Sequence, residues 1–128
     1  MTITGTVVSG LGQGAQFLAL EWVARELREK LGLTPFPGTL NLRIVAEARA
    51  ALFDRRAEFL RIADPSSPEC PGYMTHVTLS ANGRSAEGWL ILPEKSHYVD
   101  VLEIIASGKL RQELRVNDGD AVVIELPR

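Results

Sequence analysis

Apolar and polar positions change their spacing several times along the chain, and each change marks an element. Ile3 to Val8 mixes β-branched and small residues in a strand pattern, which Gly10, Gly12 and Gly14 then interrupt. Gln16 to Leu20 reads as a second short strand. From Glu21 onward, Val23, Leu27 and Leu31 recur every four residues with charges between them. That spacing predicts an amphipathic helix, closed where Gly32 can take the left-handed cap. Pro35-Phe36-Pro37-Gly38 forbids regular structure, because each proline lacks a donor and restricts its predecessor.

Leu40 to Val45 alternates as a strand, and Ala46 to Leu60 is helix-prone and rich in alanine, although its apolar face is ragged. Asp64 to Gly72 carries Pro65, Pro68 and Pro71 and reads as a loop. Met74–Ser80 and Ser85–Leu92 are predicted strands around Asn82-Gly83, a hairpin signal because both residues tolerate positive φ. Val99 to Leu114 is predicted helical, with a break near Ser107-Gly108. Asn117-Asp118-Gly119 makes a tight turn, and Ala121 to Leu126 forms the last strand.

Many short strands with a few helical insertions point to a mainly-β single domain over residues 1–128, a small β-barrel with appended helices. Order along the chain alone equally allows a two-layer α+β sheet. With 128 residues, 45% of them hydrophobic and 23% charged, the chain can bury a core without staples. Its formal net charge of −2 gives no sign of a basic face, so nucleic acid is not an expected partner. A single cysteine, Cys70, allows no internal disulfide and has no His/Cys cluster around it to bind zinc. The N-terminus shows no signal-peptide pattern, and no apolar run approaches the roughly 18 residues of a membrane span. A cytoplasmic protein acting on small molecules is the expectation.

Three stretches could carry chemistry. Ser9-Gly10-Leu11-Gly12-Gln13-Gly14 sets glycines at alternate positions after a strand, which lets backbone N–H groups converge on an anion. It matches neither the Walker nor the dinucleotide pattern, and taken alone it reads first as a glycine-rich turn. In Phe36-Pro37-Gly38-Thr39-Leu40-Asn41-Leu42, Thr39 and Asn41 stand two apart at the start of a strand and project to one face. A hydroxyl and an amide carbonyl are hard neutral donors that suit Mg2+ alongside phosphates and water, yet two outward polar residues need no metal. The third stretch runs from Pro93-Glu94-Lys95-Ser96-His97-Tyr98 through Glu103 to Gly108-Lys109-Leu110-Arg111. Glu103 lies between apolar neighbours and could be partly buried, or solvated and paired with Lys109 or Arg111. His97 could simply pack or cap a turn, and His76 has no evident functional context.

Taken together, the glycine stretch, Pro37-Gly38-Thr39-Leu40-Asn41 and the segment from Pro93 to Asp120 resemble the archaeal CTP-dependent riboflavin kinases. The resemblance runs from about Gly5 to Glu125, is most specific in Pro37–Asn41 and is weakest over residues 46–88. It implies a cradle-loop β-barrel in which Gly10, Leu11, Gly12, Gln13, Gly14 and Ala15 wrap the nucleotide phosphates. It matches Thr39 and Asn41 to magnesium ligands, and Ser96 and Glu103 to flavin-contacting residues. Gly108, Lys109, Leu110 and Arg111 match a second nucleotide-contacting strip. The implied reaction moves a phosphoryl group from CTP to riboflavin with Mg2+, giving FMN and CDP. Glu103 would orient the terminal ribityl hydroxyl or accept its proton, and Tyr98 would join Ser96 at the flavin.

The chain departs from the family pattern at three places. Gln13 stands where a glutamate is usual, Ser96 replaces a threonine, and the link from Ser96 to Glu103 is one residue short, which would change the phase of a helix there. These departures keep open the same chemistry on another flavin-like or polyol substrate, or a non-catalytic flavin or nucleotide sensor. A DNA-binding barrel is disfavoured by the charge. No helix-turn-helix stretch precedes the barrel, so a repressor role is not expected, and the chain is expected to be a monomer or weak homodimer.

Overall fold

Strand β1 (Thr2–Val8) leads into two short helices, α1 (Gln13–Leu18) and α2 (Glu21–Leu31), and then into β2 (Leu40–Arg43). Helix α3 (Ala46–Asp54) and a 3-10 turn (Arg56–Glu58) precede β3 (Leu60–Asp64), β4 (Ser67–Ala81) and β5 (Arg84–Pro93). The chain ends with β6 (Val101–Ile105), α4 (Leu110–Leu114) and β7 (Ala121–Glu125). This computed structural model describes residues 1–10, 13–96 and 98–127, and of residues 13 and 14 only the backbone.

The strands pair antiparallel in the order β3-β4-β5-β6-β2-β1-β7, and β7 returns to pair with β4. Six strands therefore close a barrel, and β3 lies outside it on the first half of β4. The mainly-β barrel expected from the sequence is the observed architecture. Asn82 and Gly83 turn the β4–β5 hairpin at φ 54° and 70°, and Gly32 caps α2 at φ 61°.

Side-chain alternation creates two apolar layers. Ile3, Val7, Leu42, Leu79, Leu90, Leu102, Ile104 and Ile124 fill the barrel interior. On the outer wall, Ile62, Met74, Ile91 and Ile105 meet Leu18, Val23 and Leu27 from α1 and α2. Strands β5 and β6 are therefore buried on both faces. Gly88 lets β5 pass close to β6, since a Cβ there would lie 2.8 Å from Ile104 Cγ2 and 3.0 Å from the Ile105 carbonyl.

Four expectations are corrected. Gln16–Leu20 is not a strand: it lies in and just after α1, where Phe17 packs edge-on against Trp22 at 5.7 Å and Leu18 is buried. Val99–Leu114 is not one broken helix. Its apolar run Val101-Leu102-Glu103-Ile104-Ile105 is strand β6, and only Leu110–Leu114 is helical. Double-sided burial removes the polar alternation that marks a strand. The predicted helix over 46–60 stops at Asp54, and the predicted loop over 64–72 is largely the outer arm of β4. Pro68 and Pro71 are accommodated there, on a ribbon that projects from the barrel.

The free edge of β3 faces α2. Glu26 Oε1 accepts the Ala63 N–H at 3.3 Å, and Lys30 Nζ donates to the Arg61 carbonyl at 3.1 Å. Glu26 and Lys30 also pair with each other at 3.3 Å. No helix among the described residues is long and apolar enough to cross a membrane.

Candidate functional site

The site forms on the outer wall of the barrel, where β2 lies between β1 and β6. Leu40 and Leu42 point inward, so the alternate residue Asn41 points outward. Its partners across the sheet are Val8 on β1 and Glu103 on β6. Asn41 is 9% exposed, a rare buried polar side chain in this molecule. Thr39 Oγ1 donates to Asn41 Oδ1 at 3.0 Å, which brings the hydroxyl and the amide oxygen together as the two-residue spacing requires.

Gly10 packs directly on that amide. A Cβ at residue 10 would overlap Asn41 Nδ2 and lie 3.0 Å from Asn41 Cγ. The start of the glycine stretch therefore meets the Pro-Gly-Thr-Leu-Asn segment. Leu11 and Gly12 lie outside the described residues, as do the side chains of Gln13 and Gly14, while Ala15 sits exposed on α1.

Two clefts flank the Thr39–Asn41 pair. One, of about 160 Å³, is lined by Ser9, Gly10, Asn41, Arg43, Tyr98 and Asp100. The other, of about 110 Å³, is lined by Phe36, Gly38 and Thr39 on one side and Gly108, Lys109 and Arg111 on the other. Three stretches far apart in sequence thus converge on one strip of barrel wall.

Glu103 is not on a helix, so no shift of helix phase arises from the short link. It projects from β6 on the same face as Asn41, with Ile91 of β5 opposite. Burial pushes its carboxyl above the usual carboxylate range, and the Arg49 cation partly opposes that rise. Arg49 is 7% exposed on α3 and donates from Nε to the Val101 carbonyl at 3.1 Å. Burial lowers the Arg49 pKa, and Glu103 partly offsets this.

The pairing of Glu103 with Lys109 or Arg111 does not occur. Arg111 Nη2 donates instead to Asp118 Oδ1 at 2.7 Å and to the Val8 carbonyl at 3.4 Å. Ser9 Oγ donates to the other carboxylate oxygen, Asp118 Oδ2, at 2.6 Å. The Ser9 hydroxyl and the Arg111 guanidinium hold the Asp118 carboxyl below the usual range.

Ser96 Oγ accepts the Tyr98 N–H at 3.1 Å, a turn that sends Tyr98 into the larger cleft. The Tyr98 hydroxyl is buried and has no hydrogen-bond partner among the described residues. His97 lies outside the described residues. His76 pairs with Glu87 at 2.9 Å on the exposed β4–β5 surface.

Sequence reasoning gave no role to Arg49 or to the Asp118 side chain. Arg49 left a trace, because a charged residue on the buried face of α3 is one reason that helix looked ragged. Asp118 left none beyond its turn.

A family model named CTP-dep_RFKase, with the description "Domain of unknown function DUF120", matches residues 7–126. The chain is 39% identical over 127 residues to the riboflavin kinase of Pyrobaculum islandicum, covering 97% of this chain and 59% of that protein. It is 37% identical over 127 residues to the riboflavin kinase of Archaeoglobus fulgidus, covering 97% and 54%. Against the riboflavin kinase of Methanopyrus kandleri it is 35% identical over 122 residues, covering 95% and 80%. The chain thus spans 59% and 54% of the first two relatives' lengths and more of the third. The match takes in β2, β6 and the Gly108–Arg111 strip, and the chain belongs to the CTP-dependent riboflavin kinase family.

Proposed function

We propose that this chain is a riboflavin kinase domain, residues 1–128, that transfers the terminal phosphoryl group of CTP to the primary ribityl hydroxyl of riboflavin, giving FMN and CDP. The observation that carries the reading is the meeting of Gly10, Thr39–Asn41 and Gly108–Arg111 on one strip of wall, with Glu103 across the sheet from Asn41. Phosphoryl transfer depends on positioning and charge neutralisation more than on covalent help, and this site offers those two things.

The donor set fits Mg2+. Two neutral oxygens 3.0 Å apart match the edge of an octahedron with metal–oxygen bonds of roughly 2.0–2.1 Å, and their neutrality leaves phosphates and water to complete it. Thr39 and Asn41 would hold the ion, which when bound draws charge off the phosphates. The backbone from Gly10 to Ala15 takes the phosphates through its N–H groups, and the strip from Gly108 to Arg111 takes the rest of the nucleotide. Tyr98, Ser96 and Glu103 form the acceptor side. Glu103 orients the attacking hydroxyl and accepts its proton late, a task suited to a carboxyl that burial has made more basic. The protein works in the cytoplasm, as a monomer or weak homodimer, on small molecules only.

The test is incubation of the purified chain with riboflavin, Mg2+ and each of CTP, UTP, GTP and ATP, followed by chromatography for FMN. The expected result is FMN formation fastest with CTP. Equal or faster reaction with ATP refutes the donor assignment, and absence of FMN with every nucleotide refutes the kinase reading.

A further inference from the structure

The carboxylate of Asp118 stands where the two segments assigned to the nucleotide meet, and nothing in the proposed reaction uses it. Each of its oxygens takes a different partner: Ser9, the residue before Gly10, at 2.6 Å, and Arg111, the last residue of the Gly108–Arg111 strip, at 2.7 Å. The turn carrying it is itself pinned to the end of β1. Gly119 N donates to the Val7 carbonyl at 2.8 Å, Val7 N donates to the Asp120 carbonyl at 2.8 Å, and Asp120 Oδ2 accepts the Asn117 N–H at 2.8 Å. The carboxylate therefore projects from a braced turn onto two less constrained side chains.

We infer that Asp118 is a positioning residue for nucleotide binding, joining the start of the glycine loop to the Gly108–Arg111 strip and setting the direction of the Arg111 guanidinium. The inference rests on the nucleotide assignment proposed above. Arg111 spends one nitrogen on Asp118 and the Val8 carbonyl while lining the cleft opposite Thr39. A guanidinium carries five donors in a fixed plane, so fixing one edge aims the other. The side chains of the pair are 32% and 56% exposed, so the ion pair adds little to stability and its consequence is orientation. The opposite behaviour is a latch, in which Asp118 occupies Arg111 until phosphate displaces it. The two differ in sign.

The experiment measures Mg·CDP binding by calorimetry and steady-state kinetics with riboflavin and CTP, for wild type, Asp118→Asn, Ser9→Ala and the double variant. Asparagine keeps the shape but can no longer present two anionic oxygens, so D118N should bind Mg·CDP about 5–10-fold more weakly. The loss should appear in the nucleotide KM rather than in kcat or the riboflavin KM. S9A should lose about 2–3-fold, and the double variant should be no worse than D118N alone, because both changes cut one network. Binding by D118N that equals or exceeds wild type overturns the inference, as does a loss shared equally by both substrates. If wild type itself binds no Mg·CDP, the nucleotide assignment falls and takes the inference with it, an outcome distinct from failure of D118N alone.

Discussion

Gly10→Ala is the sharpest probe of the site, because it adds one methyl group at the contact that brings the glycine stretch onto the Thr39–Asn41 segment. Gly10 is not among the glycines with positive φ, so alanine can adopt its backbone and the effect is steric. The new Cβ would overlap Asn41 Nδ2 and lie 3.0 Å from Asn41 Cγ, against an ordinary carbon–carbon contact of about 3.5–4.0 Å. Because the overlap with Nδ2 is the worse of the two, the amide must retreat by more than about 1 Å, or Gly10 must lift away from β2. Asn41 has little room, being buried and held by Thr39 Oγ1 at 3.0 Å. Overpacking of this kind costs about 1–3 kcal/mol, and a misplacement near 1 Å at a reacting centre can cost about 10²-fold in rate. We expect FMN formation to fall by about 10–100-fold with a raised Mg2+ requirement, while the melting temperature drops by less than about 10 °C. A Mg2+ titration of turnover beside a thermal melt measures both. Wild-type turnover at the wild-type Mg2+ requirement would show that Gly10 does not rest on Asn41 in the working protein.

Four further substitutions probe the rest of the site and the β5–β6 contact. Thr39→Val with Asn41→Leu should abolish Mg2+-dependent turnover while circular dichroism stays native; Thr39→Val alone should keep some activity, since water can replace one ligand, and full activity in the double variant sinks the metal assignment. Glu103→Gln should lower kcat, by no more than the roughly 10²–10⁴-fold a general base supplies, and weaken nucleotide binding less. Because burial raises the Glu103 carboxyl, the folded state holds its proton more tightly than the unfolded chain, so this group's contribution to stability falls as pH rises through the window between the two values. Glu103→Gln should consequently melt higher than wild type at about pH 8 and equal it at about pH 4, and a lower melting point at the higher pH contradicts that reading. Gly88→Ala, whose Cβ would lie 2.8 Å from Ile104 Cγ2, should destabilise by about 1–3 kcal/mol in urea, and an unchanged midpoint would mean that β5 and β6 are not so close.

What could be read from the sequence follows from how each element is buried. Strands with one wet face, such as β1 with Thr2, Thr4 and Thr6 outward and Ile3 and Val7 inward, keep their alternation and were legible. Strand β6 has Leu102 and Ile104 in the barrel and Ile105 under α2, so its run of apolar residues reads as helical and puts Glu103 on the wrong element, whereas it lies on a strand across the sheet from Asn41. Strand β3 is short and begins straight after a helical turn, and the prolines that follow it hid the outer arm of β4. The meeting of Thr39 and Asn41 is legible because their two-residue spacing shows within one stretch of sequence. Asp118 and Arg49 act across the fold, on Ser9 and Arg111 and beside Glu103, and no local pattern encodes such meetings.

The way α2 lies along β3 has a consequence for how the molecule meets its own copies. A closed barrel presents no raw margin, but the β3–β4 ribbon stands outside the closure and would offer one. In an antiparallel ribbon alternate residues turn their backbone groups outward, and two of the outward groups here, the Arg61 carbonyl and the Ala63 N–H, are already engaged by Lys30 and Glu26. A strand arriving from another molecule would have to displace a charged pair of this chain before it could begin a ladder. One turn of helix, carrying one acid and one base, turns an adhesive margin into a finished surface.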